Sequence, residues 1–247
     1  MGILKIGLCG ANGRMGQAIQ ESIIQKADKY ELNSMLNRSH TENDLAQFCH
    51  QSDVIIDFSN ASILKSLAEE AMNSKTPLVV GTTGLQAEHF EYLKELSKHV
   101  AVLYAANTSL GANLVTMLSA KAAKILKGYD IEIIESHHKH KKDAPSGTAL
   151  MMGEKIAEAL EVDFNKVAIF DRASKGERLP GEIGFSSIRA GGISGENEVL
   201  FADENELITL SYRSLSRRAY ADGALFVANW LRDKKPALYS MQDVLSL

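Results

Sequence analysis

A chain of 247 residues, 45% apolar and 23% charged, has the makeup of an ordinary globular protein with room for one large domain or two modest ones. The formal net charge of −4 gives no bulk attraction to nucleic acid or to an anionic membrane surface, so neither is expected as a partner. No apolar run approaches the ~20 residues that span a bilayer, and the amino terminus lacks the basic and apolar regions of a secretory signal, so a cytoplasmic location is expected.

In chain order, residues 3–9 read as a buried strand that holds Cys9, whose thiol suits a buried position better than a ligand or a bridge. Residues 15–26 form a helix with Met15, Ile19, Ile23 and Ile24 along one side. Strands follow at 31–36, 53–58, 78–81 and 100–104, separated by helical stretches at 61–72 and 87–98. Such alternation predicts a parallel sheet with helices on both faces.

The pattern changes after Asn107. A helix at 112–126 leads into a strand at 130–136 and a second helix at 146–160. Three β-rich segments then run without intervening helices, at 182–189, 198–202 and 207–212, which predicts a second domain of α+β type with a mostly antiparallel sheet. The last helix, 219–230, is apolar on one side and returns to the first domain. The expected domains are therefore 1–107 with 218–247, and 108–217.

Gly10-Ala11-Asn12-Gly13-Arg14-Met15-Gly16 lies between the first strand and the first helix, spaced G-x-x-G-x-x-G. The first glycine permits a tight turn, the second lets backbone approach a pyrophosphate, and the third allows close helix packing. The helix amino terminus adds N–H donors and partial positive charge for phosphates, so a Rossmann-type dinucleotide-binding domain is expected. At the end of the second strand, where an acid would hold the ribose of NAD, stand Asn37 and Arg38. Arg38 could pair with a 2′-phosphate, which makes NADPH acceptable, and NADH is not excluded.

The densest chemistry is the run from Glu135 to Thr148, where His137, His138 and His140 alternate with Lys139, Lys141 and Lys142. Adjacent lysines repel a divalent cation and no cysteine is near, so no metal is expected. Asp143-Ala144-Pro145-Ser146-Gly147-Thr148 reads as a helix start, with the N–H groups of Gly147 and Thr148 and the Thr148 hydroxyl forming an anion site beside the positive cluster. That suits a small dianion, although a phosphate would also fit, and one of the histidines could donate a proton.

This run resembles the signature E-(A/S)-H-H-x-x-K-x-D-A-P-S-G-T-A of the dihydrodipicolinate reductase family, whose members reduce 4-hydroxy-tetrahydrodipicolinate in lysine biosynthesis. Loop 10–16, Ile56-Asp57-Phe58-Ser59, Val80-Gly81-Thr82-Thr83-Gly84, Ala105-Ala106-Asn107, Ile188-Arg189-Ala190-Gly191, Gly195-Glu196 and Ser216-Arg217 are similar to the same family, so the likeness covers nearly the whole chain. The resemblance implies that Gly10, Ala11, Asn12, Gly13, Arg14 and Met15 hold the pyrophosphate of NADPH or NADH. It implies that Gly81, Thr82 and Thr83, with Ala105, Ala106, Asn107 and Thr108, frame the nicotinamide and its ribose. His137 would be the general acid/base and Lys141 its partner, while His138, Gly147 and Thr148 would hold the substrate carboxylates. Residues 108–217 would then bind a small dicarboxylate and assemble a homotetramer. Two departures stand out: Asn37 replaces a commonly acidic residue, and the short stretch 38–53 leaves room for a sheet lacking a strand. Two other readings stay open, another two-domain dehydrogenase acting on an amino or oxo acid, and a non-catalytic nucleotide-binding redox sensor.

Overall fold

The structure is a computed structural model that describes residues 2–37 and 42–246. Its elements in chain order are β1 (Leu4–Cys9), α1 (Arg14–Gln25), β2 (Tyr30–Leu36), α2 (Glu42–His50), β3 (Val54–Asp57), α3 (Leu64–Ser74), β4 (Leu78–Val80), α4 (Ala87–Ser97) and β5 (Ala101–Tyr104). There follow α5 (Leu110–Ile125), β6 (Asp130–His137), α6 (Gly147–Ala159), α7 (Phe164–Val167), β7 (Ala168–Ile169), α8 (Arg172–Lys175), β8 (Ile183–Arg189), β9 (Glu196–Ala202) and β10 (Leu207–Arg213). The chain closes with α9 (Arg218–Leu231), β11 (Ala237–Tyr239) and α10 (Met241–Leu245). These elements fall into two compact units, Met1–Leu110 with Arg217–Leu247, and Gly111–Ser216.

The first unit is an open sheet in the order β11-β5-β4-β3-β1-β2, with every pairing parallel. Its strands are apolar on both sides, as a sheet covered by helices on each face requires. Along β3 the residues alternate between two cores: Val54 and Ile56 join Ile19 of α1 and Leu225 of α9, whereas Ile55 joins Leu67 of α3 and Leu93 of α4. Successive side chains of a strand point to opposite faces, so four residues serve both layers. The chain leaves β1 toward β2 on one side and then returns to lay β3 on the other. The strand order therefore reverses at β1, and the carboxyl ends beside it form the crevice where open α/β sheets bind ligands.

Two elements of this unit carry weak sequence signals. The short stretch after residue 37, expected to leave the sheet a strand poorer, holds α2 in its described part. The sheet nevertheless has six strands among the described residues, because three-residue β11 adds an edge beside β5.

In the second unit the expectation of a mostly antiparallel sheet is met only in part, because the sheet is mixed. The order is β10-β9-β6-β8-β7; β9 is antiparallel to β6 and β10, but β8 is parallel to β6 and β7. The sequence shows β8, β9 and β10 as neighbours in the chain, which invites hairpins. Instead β8 reaches β6 after the helical crossover of α6, and such crossovers make parallel pairs. Register sets the faces: Ile131 and Ile133 of β6, Ile183 and Phe185 of β8, and Val199 and Phe201 of β9 share one face and pack on α6 residues Met152 and Ile156. On the opposite face Ile188 and Leu207 are exposed.

Phe201 is fully buried at the centre of this second core. Truncating such a ring removes its transfer free energy and leaves a cavity, so Phe201→Ala is expected to destabilise the unit by about 3–5 kcal/mol. A lowered denaturant midpoint for the unit's unfolding transition checks this.

Candidate active site

In the first unit, loop 10–16 leaves β1 and turns into α1. Gly10 has φ +82°, and a Cβ there would stand 2.5 Å from the Phe58 carbonyl oxygen. A Cβ on Gly16 would stand 2.4 Å from the Gly10 oxygen and 2.5 Å from the Ala11 oxygen, so only glycine lets α1 start this close to the loop. Gly13 is the N-cap residue and supplies no capping side chain, which leaves the first-turn N–H groups of α1 to an anion. Asn12, Gly13 and Arg14 are exposed, Ala11 is buried, and Met15 packs on the core. Beside the loop opens a cavity of about 910 Å³, lined by Gly10, Asn12, Leu36, Asn37, Phe58 and Ser62 among others. A donor-rich turn next to a long, partly apolar cavity fits the pyrophosphate and adenosine of a dinucleotide. Arg38, expected at a 2′-phosphate, lies outside the described residues.

Behind this crevice sits Asp57, the last residue of β3 and fully buried. Its carboxylate accepts from the Ser59 N–H at 3.0 Å, the Ser59 hydroxyl at 2.5 Å and the Thr82 hydroxyl at 2.7 Å. Burial pushes its carboxyl above the usual range, and the donors from Ser59, Thr82 and Cys9 oppose that shift. Thr82 is buried, and its oxygen also accepts from the Ser59 N–H at 3.0 Å. The loops after β3 and β4 are thus tied to one carboxylate. A Cβ on Gly81 would meet the Phe58 ring at 2.3 Å, so that glycine admits the ring, whereas Thr83 is exposed. After β5, Ala105 is buried and Ala106 exposed, Asn107 Oδ1 accepts from the Ser109 N–H at 2.9 Å, and the Thr108 hydroxyl donates to the Tyr220 carbonyl at 2.8 Å. Thr82 and Thr108 therefore engage their hydroxyls within the unit, and the geometry favours backbone over these hydroxyls as donors to a ligand.

In the second unit, the core face of β6 continues from Ile131 and Ile133 to Glu135 and His137, because strand residues two apart share a face. Glu135 is consequently buried, and its carboxylate gathers donors from three directions. Arg189 of β8 gives a bidentate pair, Nη1 to Oε2 at 2.9 Å and Nη2 to Oε1 at 2.6 Å. The Ser146 N–H donates to Oε1 at 3.3 Å, and His137 Nδ1 lies 2.5 Å from Oε2. Burial alone would raise this carboxyl, yet hydrogen bonds from Arg189, Ser187 and His137 hold it below its usual range. An ionised carboxylate only accepts, so His137 carries its proton on Nδ1, which leaves Nε2 as the ring nitrogen not bound to Glu135. Burial pushes the His137 imidazole below the ordinary histidine value; Glu135 pulls it up, while Lys141 and Arg189 push it further down.

The loop after β6 is tied back at several points. Lys139 N–H donates to the Gly191 carbonyl at 3.1 Å, and Arg189 Nη2 donates to the Asp143 carbonyl at 2.7 Å. Lys141 pairs with Asp143 at 2.8 Å and lowers its carboxyl pKa. His138 Nδ1 is buried and has no hydrogen-bond partner among the described residues. Ser146 caps α6 by accepting from the Ala149 N–H at 3.2 Å, while Gly147 opens the helix with nothing within 4 Å of a would-be Cβ. His137 and the opening turn of α6 thus meet at Glu135, while Lys141 pairs with Asp143 and its charge is felt at the His137 ring. Among the described residues no cluster of three or more His, Cys, Asp and Glu is arranged to hold a metal ion. Sequence reasoning quoted Glu135, Arg189 and Asp57 only within longer motifs. The readable signal for Glu135 was an acid on the buried stripe of a strand.

An open parallel sheet with a glycine turn at its reversal point, in one chain with a histidine- and lysine-rich loop leading into a helix start, defines a dinucleotide-dependent α/β oxidoreductase. Residues 4–108 match the family model described as dihydrodipicolinate reductase, N-terminus, and residues 111–245 match its C-terminus. The 4-hydroxy-tetrahydrodipicolinate reductase of Rickettsia canadensis (strain McKiel) is 43% identical over 245 residues, covering 99% of this chain and 100% of the relative. That of Zymomonas mobilis (strain ATCC 31821) is 44% identical over 250 residues, covering 99% and 98%. The chain belongs to the dihydrodipicolinate reductase family, whose members are NAD(P)H-dependent oxidoreductases of lysine and diaminopimelate biosynthesis. A solved dipicolinate-bound dihydrodipicolinate reductase from Paenisporosarcina sp. TG-14 shares the fold, with a TM-score of 0.80 at 23% identity over 98% of each chain.

Because burial raises the Asp57 carboxyl, its protonated form is favoured in the folded state. Its contribution to stability is therefore present below the unfolded pKa and lost as pH rises through the folded one. Asp57→Asn keeps an acceptor for Ser59 and removes the charge. Urea unfolding from acid to neutral pH should show the wild-type chain losing stability relative to this variant.

Proposed function

We propose that this chain reduces 4-hydroxy-tetrahydrodipicolinate to tetrahydrodipicolinate with NADH or NADPH, with loss of water. The observation that carries the reading is that Glu135 holds both His137 and the start of α6, with the Lys141 charge felt at the His137 ring, chemistry suited to a small dicarboxylate. The first unit is assigned to the coenzyme, with Gly10 to Met15 at the pyrophosphate and Gly81, Thr83 and Ala105 to Thr108 presenting backbone toward the nicotinamide half. The second unit, residues 108–217 in the sequence-based division, is assigned to substrate and oligomer contacts.

The coenzyme supplies a hydride to the substrate ring. Gly147 and Thr148 at the amino terminus of α6, with His138, would hold the carboxylates. As hydride arrives the conjugated acceptor gains negative character, which the Lys141 ammonium and the α6 terminus stabilise. His137 delivers the proton from Nε2 while its Nδ1 stays anchored. Holding the reacting carbons in near-attack contact can contribute ~7–11 kcal/mol of the acceleration.

The exposed face of the second sheet, with Ile188 and Leu207, supports assembly into a homotetramer, and no helix among the described residues is long and apolar enough to cross a membrane. A cytoplasmic location suits a biosynthetic reductase of this kind.

Oxidation of NADPH and NADH on adding freshly generated synthase product tests the reading, and a lack of oxidation with either coenzyme would sink it. His137→Gln should lower kcat by about 10²–10⁴-fold with KM little changed. Lys141→Ala should lower kcat and raise KM. Light scattering of the purified chain should give the mass of four subunits.

A further inference from the structure

Glu135 has no place in the steps just described, yet it is the most heavily bonded side chain of the second unit's site. We propose that Glu135 is a positioning residue of the reaction, fixing the His137 ring through Nδ1 and fixing the start of α6 against that ring through the Ser146 N–H. The proposal rests on the reading of His137 as the proton donor.

Beside a hydrogen bond from Ser187, the geometry gives each carboxylate oxygen at least two partners. Oε2 takes His137 Nδ1 at 2.5 Å and Arg189 Nη1 at 2.9 Å, while Oε1 takes Arg189 Nη2 at 2.6 Å and the Ser146 N–H at 3.3 Å. Arg189 then carries the link onward, because Nη2 also donates to the Asp143 carbonyl in the loop that precedes α6. Ser146 is the cap of α6 and is itself held, its hydroxyl lying 3.3 Å from Asn197 Oδ1 on β9. The imidazole and the anion-binding turn, nine residues or more apart in the chain, are therefore referred to one buried point. A ring anchored through one nitrogen has its tautomer and plane fixed, which is what a proton donor needs at the other nitrogen.

The charged groups around His137 come from each neighbouring element. Its own strand provides Glu135, β8 provides Arg189, and the following loop provides Lys141 and Asp143, which pair with one another. On β9, Glu196 lies opposite Ser136, but its carboxylate is bound by Arg213 at 2.8 Å. The first residues of α6 carry no charge. Of these, Glu135 is the group that favours the protonated ring, and Arg189 tempers it. Removing the carboxylate and removing the guanidinium must therefore move the His137 titration in opposite directions, an outcome that a purely structural ion pair would not produce.

The test is a histidine NMR titration of the full chain, labelled in its imidazole nitrogens, alongside steady-state rates. In the wild-type chain the neutral His137 ring is expected to carry its proton on Nδ1. In Glu135→Gln the midpoint should move to lower pH and the Nε2–H tautomer should appear, with kcat falling roughly tenfold to a hundredfold, the range seen when a group that orients a functional imidazole is removed. In Arg189→Gln, which keeps the carboxylate, the midpoint should move to higher pH. An unchanged midpoint and tautomer in a folded Glu135→Gln chain overturns the proposal. Should that variant fail to fold, an unchanged midpoint in Arg189→Gln overturns it instead. A wild-type chain that turns over no substrate, yet shows both shifts, would sink the proposed activity and leave the Glu135–His137 coupling standing.

Discussion

A carboxylate taken out of water has to find donors within the protein, and in the second unit that requirement falls on Glu135. Strand periodicity puts it on the same face as Ile131 and Ile133, where an unpaired charge would be strongly destabilising. Arg189 answers it from the adjacent strand, at the register position opposite His137 and two residues beyond the partner of Glu135 itself. The parallel pairing of β6 with β8 makes this contact possible. A hairpin between β8 and β9 would place Arg189 elsewhere, so the mixed topology of this sheet and the arrangement of the site are one fact.

The first unit meets a related requirement by other means. Asp57 ends a strand whose four residues are all buried, and among the described residues no cation is bound to it; hydroxyl and amide donors from Ser59 and Thr82 surround it instead. The outcome differs accordingly. Without a neighbouring cation, burial dominates and the carboxyl is pushed up, whereas Glu135 with its guanidinium is held down. The first arrangement ties two loops at the rim of the dinucleotide crevice through a carboxyl whose charged form burial disfavours. The second keeps a permanent negative charge where an imidazole can be anchored.

Much of this could be read along the chain, because the signals were local. The glycine turn, the strand before it and the helix after it are contiguous, and the run 135–148 carries its histidines, lysines and helix start together. What escaped depends on pairing across distance. Nothing in the segment 182–189 says that it inserts beside β6, so its parallel direction and the role of Arg189 were not legible. The hydroxyls of Thr82 and Thr108 bind Asp57 and the Tyr220 carbonyl, partners 25 and 112 residues away that no local motif announces. The short edge strand β11 and the two-residue β7 are too brief to show a period.

The two ion pairs of the second unit's site differ in a way that bears on turnover. The Glu135–Arg189 pair is buried and bidentate, so breaking it would leave an uncompensated charge. The Lys141–Asp143 pair is exposed on the aspartate side, at 62% for its side chain, and such pairs contribute little. In the proposed reaction Lys141 would exchange Asp143 for a substrate carboxylate at small cost, while the Glu135 frame around His137 stays fixed. The low proton affinity of His137 fits the same division. Burial disfavours a second proton on the ring, and the nearby Lys141 and Arg189 add to that. In the proposed reaction a doubly negative ring arriving at this site would offset those cations and favour the protonated imidazole.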